Sequence, residues 1–164
     1  MLEIKNILLL EDSEADQIMI KRHLLNAGIF ANIIVCDNKD SFNRNIKNLK
    51  PDLVLLDYHV PGFNYNEAFN ILKKINPNIP VIYVTGVIPI NIASQTSLVD
   101  ADAYVIKDNL SDLPLVVQSV YLHKIAENDK KKSTNLDEED KRKRLLELMR
   151  NNKIFMGFLN NGLE

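Results

Sequence analysis

Five short apolar runs punctuate the chain: "NILLL" (6–10), "NIIVC" (32–36), "DLVLLD" (52–57), "PVIYVT" (80–85) and "AYVIK" (103–107). Each is rich in Ile, Val, Leu or Tyr, the pattern of strands covered on both faces. Between them lie segments long enough for helices. "SEADQIMIKRHLLNAG" (13–28) opens with Ser13 as an N-cap and carries Glu14 and Asp16 in its first turn. It stops at Gly28, a residue suited to the left-handed conformation that ends helices. "KDSFNRNIKNLKP" (39–51) ends against Pro51, which cannot continue a helix. "NYNEAFNILKKINP" (64–77) ends at Pro77 and places Ala68, Ile71, Leu72 and Ile75 on one face. "NIASQTSLVDA" (91–101) is a weaker helical pattern. "SDLPLVVQSVYLHKIAE" (111–127) is a stronger one, with Ser111 as cap and Pro114 in the first turn, where its missing N–H does no harm. Strands alternating with helices predict an α/β fold: a doubly wound, five-stranded parallel sheet with helices on both faces.

After residue 127 the character changes. "ENDKKKSTNLDEEDKRKR" is nearly devoid of apolar residues, yet Asp137–Lys141, Glu138–Arg142, Glu139–Lys143 and Asp140–Arg144 are acid-to-base pairs four apart, in the order that favours a helix. "LLELMRNNKIFMGFLNNGLE" then restores some apolar character but is too short for a domain. The expected organisation is a domain over 1–127, then a charged linker and helical extension over 128–164. The last segment reads either as a helical tail or as the start of a truncated following module, and the "FLNNGLE" ending favours the second. "KRKR" reads as one side of these charge pairs rather than a nucleic-acid patch, because four acids precede it.

Composition narrows the function classes. The 164 residues are 46% hydrophobic and 26% charged, as in globular proteins. A net charge of −2 offers no general attraction to nucleic acid or anionic membrane. One cysteine, Cys36, excludes an internal disulfide and a multi-cysteine zinc site, and fits a reducing, cytoplasmic setting. No apolar stretch is long enough to span a bilayer, and "MLEIKN" does not resemble a signal peptide. Neither G-x-G-x-x-G nor G-x-x-x-x-G-K-[ST] occurs, which argues against dinucleotide and nucleotide enzymes. A phosphatase of the haloacid-dehalogenase type would want Asp-x-Asp after its first strand, and "EDSEAD" lacks that spacing.

The chemistry lies where strands stop. Parallel strands end at a common edge, and ligands bind there. Glu11 and Asp12 follow the first run, and Asp57 ends the third. If these strands are neighbours, three carboxylates converge. Two unit charges about 4 Å apart repel by roughly 4 kcal/mol at an effective dielectric of 20. Protonation offsets this, or a cation does, which the hard oxygen ligands favour and which Mg²⁺ suits. Thr85 ends the fourth run and Lys107 the fifth. A metal, an ammonium and a hydroxyl around a carboxylate make a site shaped for phosphate, with Asp57 as the nucleophile of an aspartyl phosphate.

In this order, "LLLEDSE", "PDLVLLDYHVPG", "VTG" and "AYVIKD" resemble the receiver domain of two-component response regulators, over about residues 4–126. The resemblance implies a flavodoxin-like (βα)₅ fold of strand order 2-1-3-4-5. It implies Asp57 as phosphoacceptor, supplied by a sensor histidine kinase or a histidine phosphotransfer protein. Glu11, Asp12, Asp57 and the backbone carbonyl of His59 are the implied Mg²⁺ ligands, and Thr85 and Lys107 the implied phosphoryl-sensing pair. Tyr104 matches an aromatic whose rotamer reports the state. Helix four, strand five and helix five, about residues 89–123, are the implied signalling surface. Such domains catalyse only their own phosphorylation and dephosphorylation. The resemblance allows a homodimer and implies neither membrane nor direct nucleic-acid binding.

Two places depart from the family pattern. Asp108 follows Lys107 where the family usually has proline, often after a cis bond; before a non-proline residue a cis bond costs about 2.5–4 kcal/mol. "FNYN" follows Pro61-Gly62 where many members have Asp-Gly. The competing function is a phosphorylation-independent pseudo-receiver, a pure interaction module; intact Asp57, Thr85 and Lys107 argue against it. His23 and His123 read as surface residues, His59 as a loop histidine and Cys36 as a strand hydrophobe.

Overall fold

A computed structural model describes residues 3–86 and 101–132. Strands β1 (Asn6–Leu10), β2 (Asn32–Cys36), β3 (Leu53–Asp57), β6 (Val81–Thr85) and β7 (Ala103–Ile106) form one parallel sheet of order β2-β1-β3-β6-β7. Two short antiparallel strands, β4 (His59–Val60) and β5 (Phe63–Asn64), form a hairpin beside it. Counting only the sheet strands, this is the predicted order 2-1-3-4-5. The helices are α1 (Glu14–Asn26), α2 (Lys39–Asn48), α3 (Tyr65–Ile75) and α4 (Leu113–Lys132). The predicted helix over 91–101 and the charged extension after residue 132 lie outside the described residues. So does part of the expected signalling surface. Helix α4 itself runs past the expected boundary at 127. Among the described residues no helix is long and apolar enough to cross a membrane.

Strand alternation sorts the core into two layers. Ile7, Leu9, Leu53, Leu55, Ile82, Val84 and Val105 face Ile20 and Leu24 of α1 and Leu113 and Val117 of α4. Leu8, Leu10, Val54, Leu56, Val81 and Tyr83 face Phe42 and Ile46 of α2 and Ala68, Phe69 and Leu72 of α3. All five residues of β3 are buried, as befits the central strand. This explains the unalternating apolar runs: both faces need hydrocarbon.

Local chemistry sets the helix ends. Ser13 caps α1 by accepting the Asp16 amide at 3.3 Å. Gly28, at φ +78°, closes it: the Gly28 amide reaches the Leu25 carbonyl at 3.0 Å and the Ile29 amide reaches Leu24 at 3.0 Å. Two expectations need adjustment. Ile75 is half exposed while Phe69 takes the buried place on α3, because Ile75 is the helix's last residue and Phe69 stacks with the core ring of Tyr83. Ser111 does not cap; a 3₁₀ segment over Lys107–Asp112 intervenes, and α4 begins at Leu113, with Pro114 still in its first turn. No peptide bond is cis among the described residues, so Lys107–Asp108 is trans. Gly62, at φ +72°, turns the β4–β5 hairpin where the family's Asp-Gly is missing.

Candidate phosphoacceptor site

Register brings the acids together. Leu10 pairs with Leu56, so the next residues, Glu11 and Asp57, stand abreast. Val84 pairs with Val105 and Thr85 with Ile106, so Lys107 follows at the same edge. By alternation, Glu11, Asp57 and Lys107 share the α1–α4 side of the sheet, while Thr85 falls on the same side as Tyr83 and Tyr104. One carboxylate oxygen from each of Glu11, Asp12 and Asp57 lies within 4.8 Å of the others. Glu11 and Asp57 are buried and Asp12 is exposed.

Lys107 is the hub of this edge. Its Nζ lies 2.7 Å from Glu11 Oε2, 2.7 Å from Asp16 Oδ2 and 3.0 Å from Asp57 Oδ2. The contacts to Asp16 and Asp57 are aligned hydrogen bonds; the one to Glu11 is an ion pair without that alignment. The backbone holds the acids in place. Ser13 N–H donates to Glu11 Oε1 at 3.1 Å, the Gln17 side-chain amide donates to the Glu11 carbonyl at 2.8 Å, and His59 N–H donates to Asp57 Oδ1 at 3.2 Å.

The charge balance perturbs the titrating groups. Burial pushes the Glu11 carboxyl above the usual range; Lys107 pulls it back, and the charge of Asp57 pushes the same way as burial. Burial works to lower the Lys107 ammonium, but its bonds to Asp16, Glu11 and Asp57 outweigh that and hold it above the usual lysine range.

A small hard cation fits here. Ligand oxygens on opposite sides of an octahedral Mg²⁺ are about 4.2 Å apart, since each bond is about 2.1 Å. The three acid oxygens lie within 4.8 Å of one another, close to that spacing, and Glu11 Oε2 is buried with no aligned hydrogen bond, held by its ion pair with Lys107, for which a metal would compete. The His59 side chain is exposed, and its amide touches Asp57. Thr85 is buried at the end of β6. Tyr104 is 37% exposed and stacks on Tyr83, ring centroids 5.9 Å apart and planes 8° apart. His23 is half-buried, His123 is exposed and within 3.3 Å of Glu127, and Cys36 is buried. Sequence reasoning missed Asp16 as a member of the site. The available signal was its place in the first turn of the helix that leaves the acid-bearing edge.

A family model described as the response regulator receiver domain matches residues 7–118. The chain belongs to this family. Among curated proteins, this receiver is 30% identical over 80 residues to the luminescence regulatory protein LuxO of Vibrio campbellii. That match covers 48% of this chain and 17% of LuxO, so the chain spans much less than the length of that relative. Among solved structures, it is 25% identical to the response regulator TrrA of Thermotoga maritima in complex with Mg²⁺–BeF, at TM-score 0.62, covering 71% of this chain and 99% of that one. It is also 25% identical to a CheY-like response regulator receiver domain protein from Methanospirillum hungatei, at TM-score 0.65, covering 76% and 99%. The receiver is thus a two-component signalling domain rather than a conventional enzyme.

Proposed function

We propose that this receiver accepts a phosphoryl group on Asp57 from the phosphohistidine of a sensor histidine kinase or a histidine phosphotransfer protein, in a Mg²⁺-dependent reaction. The observation that supports it best is the gathering of Glu11, Asp12 and Asp57 within one small volume against a single lysine. An Asp57 carboxylate oxygen attacks phosphorus, the P–N bond to the donor imidazole breaks, and its electron pair stays with the ring nitrogen. The His59 amide holds Oδ1 and the Lys107 ammonium lies on Oδ2, so the carboxylate is oriented before the donor arrives. Mg²⁺, held by Glu11, Asp12, Asp57 and the His59 carbonyl, would neutralise charge on the transferring oxygens. Lys107 supplies a second cation for those oxygens, and the Thr85 hydroxyl a neutral donor. Tyr104 then reports the modified state to the surface built by about residues 89–123.

The test is Phos-tag electrophoresis after treatment with acetyl phosphate and Mg²⁺. Wild type gives a retarded band, and Asp57→Ala gives none. A retarded band that survives the substitution removes Asp57 from the role of acceptor. No band in the wild type leaves the pseudo-receiver, an interaction module that works unmodified.

A further inference from the structure

We propose that Asp16 is a positioning residue that tethers Lys107 at the mouth of the site, and that it keeps the ammonium there when the other two acids are otherwise engaged. This rests on the phosphoacceptor reading above. An ammonium has three N–H donors. In this structure Lys107 meets three acids: Asp57 and Glu11, which belong to the cluster of close carboxylates, and Asp16, which does not. A cation among Glu11, Asp12 and Asp57 draws on Glu11 and Asp57, and modification of Asp57 turns one of its carboxylate oxygens into the bridging oxygen of an acyl phosphate. Asp16 stands on α1 rather than at a strand end, so neither event consumes its carboxylate. Its bond to Lys107 is as short as any at the site, at 2.7 Å. The helix fixes it in turn: the Asp16 amide is bonded to the Ser13 cap, and Gln17 next to it holds the Glu11 carbonyl. Asp16 therefore acts through Lys107, aiming it at whatever oxygens lie on Asp57.

Three readouts separate this role from its rivals. The first is the ¹⁵N signal of the Lys107 ammonium in the metal-free protein, assigned by its loss in Lys107→Arg. Asp16→Asn speeds the exchange of its protons and broadens it; an unchanged signal overturns the tether. The second is affinity for beryllofluoride, a tetrahedral mimic of a phosphoryl group, at saturating Mg²⁺. Asp16→Asn weakens it about fivefold, a modest value because Asp16 is one-third exposed, and Asp16→Glu restores part of it. The third is affinity for Mg²⁺ alone, which Asp16→Asn leaves within about twofold because Asp16 lies outside the cluster of close carboxylates and its charge is already paired with Lys107. Tighter beryllofluoride binding by Asp16→Asn makes Asp16 a repelling charge and overturns the tether; equal losses for Mg²⁺ and beryllofluoride make it a general scaffold residue and do the same. If wild type itself shows no saturable beryllofluoride binding with Mg²⁺, the phosphoacceptor reading fails instead, and the ammonium signal still decides the tether.

Discussion

The two edges of the sheet use the same residue types to opposite ends. At the N-terminal edge two carboxylates, Asp52 and Asp102, are surrounded by donors. Asp52 Oδ2 accepts the amides of Lys5 and Asn6, both at 2.9 Å, stitching the start of β3 to the start of β1. Asp102 Oδ2 accepts the Val81 amide at 2.8 Å, and its carboxylate lies 2.9 Å from Lys124 and 3.8 Å from Lys73. Burial works to lower the Lys124 ammonium, but Asp102 and Glu127 hold it above its usual range. At the C-terminal edge the ratio inverts: Glu11, Asp16 and Asp57 share one lysine, with Asp12 alongside. Donor-rich acids strengthen a fold, whereas an excess of acids over donors costs stability and persists where a ligand completes it.

The sharpest way to break this contrast is to remove one acid from each edge. Asp102→Ala takes the nearer carboxylate from Lys124, leaving it Glu127, removes the Asp102 charge from beside Lys73, and leaves the Val81 amide without its acceptor. Urea denaturation should show a loss of about 3 kcal/mol, with phosphorylation of the folded fraction unchanged. Asp57→Asn keeps the shape and removes a like charge, so it should leave stability equal or higher while abolishing the phosphoryl band. Equal losses at both edges would erase the distinction.

A smaller effect comes from the ligand that the acid-rich edge awaits. Mg²⁺ at ten times its dissociation constant should stabilise the native protein by about 1.4 kcal/mol, the mass-action value for one site. Thermal denaturation measures it. Asp12→Asn and Asp57→Asn should each remove most of that gain, and Asp102→Ala should retain it. A gain that survives in both of the first two variants places the ion elsewhere.

Sequence carried the acid-rich half of this contrast, for physical reasons that also mark its limits. The strands were legible because a strand covered on both faces admits little but hydrocarbon, so Glu11 and Asp57 stand out at the ends of β1 and β3. Ser13 and Gly28 were legible because capping is decided within a few residues. Asp16 was not, because its partner lies 91 positions away and an acid in a first helical turn already has a sufficient reason in the helix dipole. Ser111 misled because a cap looks the same from sequence whether α begins next or a 3₁₀ turn comes first. On α3, both Phe69 and Ile75 satisfy apolar periodicity, and only the ring of Tyr83 beneath the helix chooses Phe69.

The smallest expected effect tests whether the acid excess is felt by the fold itself. The folded-state Glu11 carboxyl titrates above its ordinary value of 4.5, chiefly because it is buried. The native state therefore holds that proton more tightly than the unfolded chain does. The resulting stabilisation is fully present below about pH 4.5 and is lost as pH rises through the higher folded value. Lys107 adds no slope in this range, because its shift is upward from 10.5. Urea denaturation of the metal-free protein between about pH 5 and 7 should show wild type losing stability relative to Glu11→Gln, whose amide cannot ionise. Mg²⁺ binds the ionised carboxylate, so adding it should reverse the sign of that difference. A wild type that gains on Glu11→Gln as pH rises without metal would mean that Lys107 more than compensates the buried charge, and the C-terminal edge would then be as well satisfied as the N-terminal one.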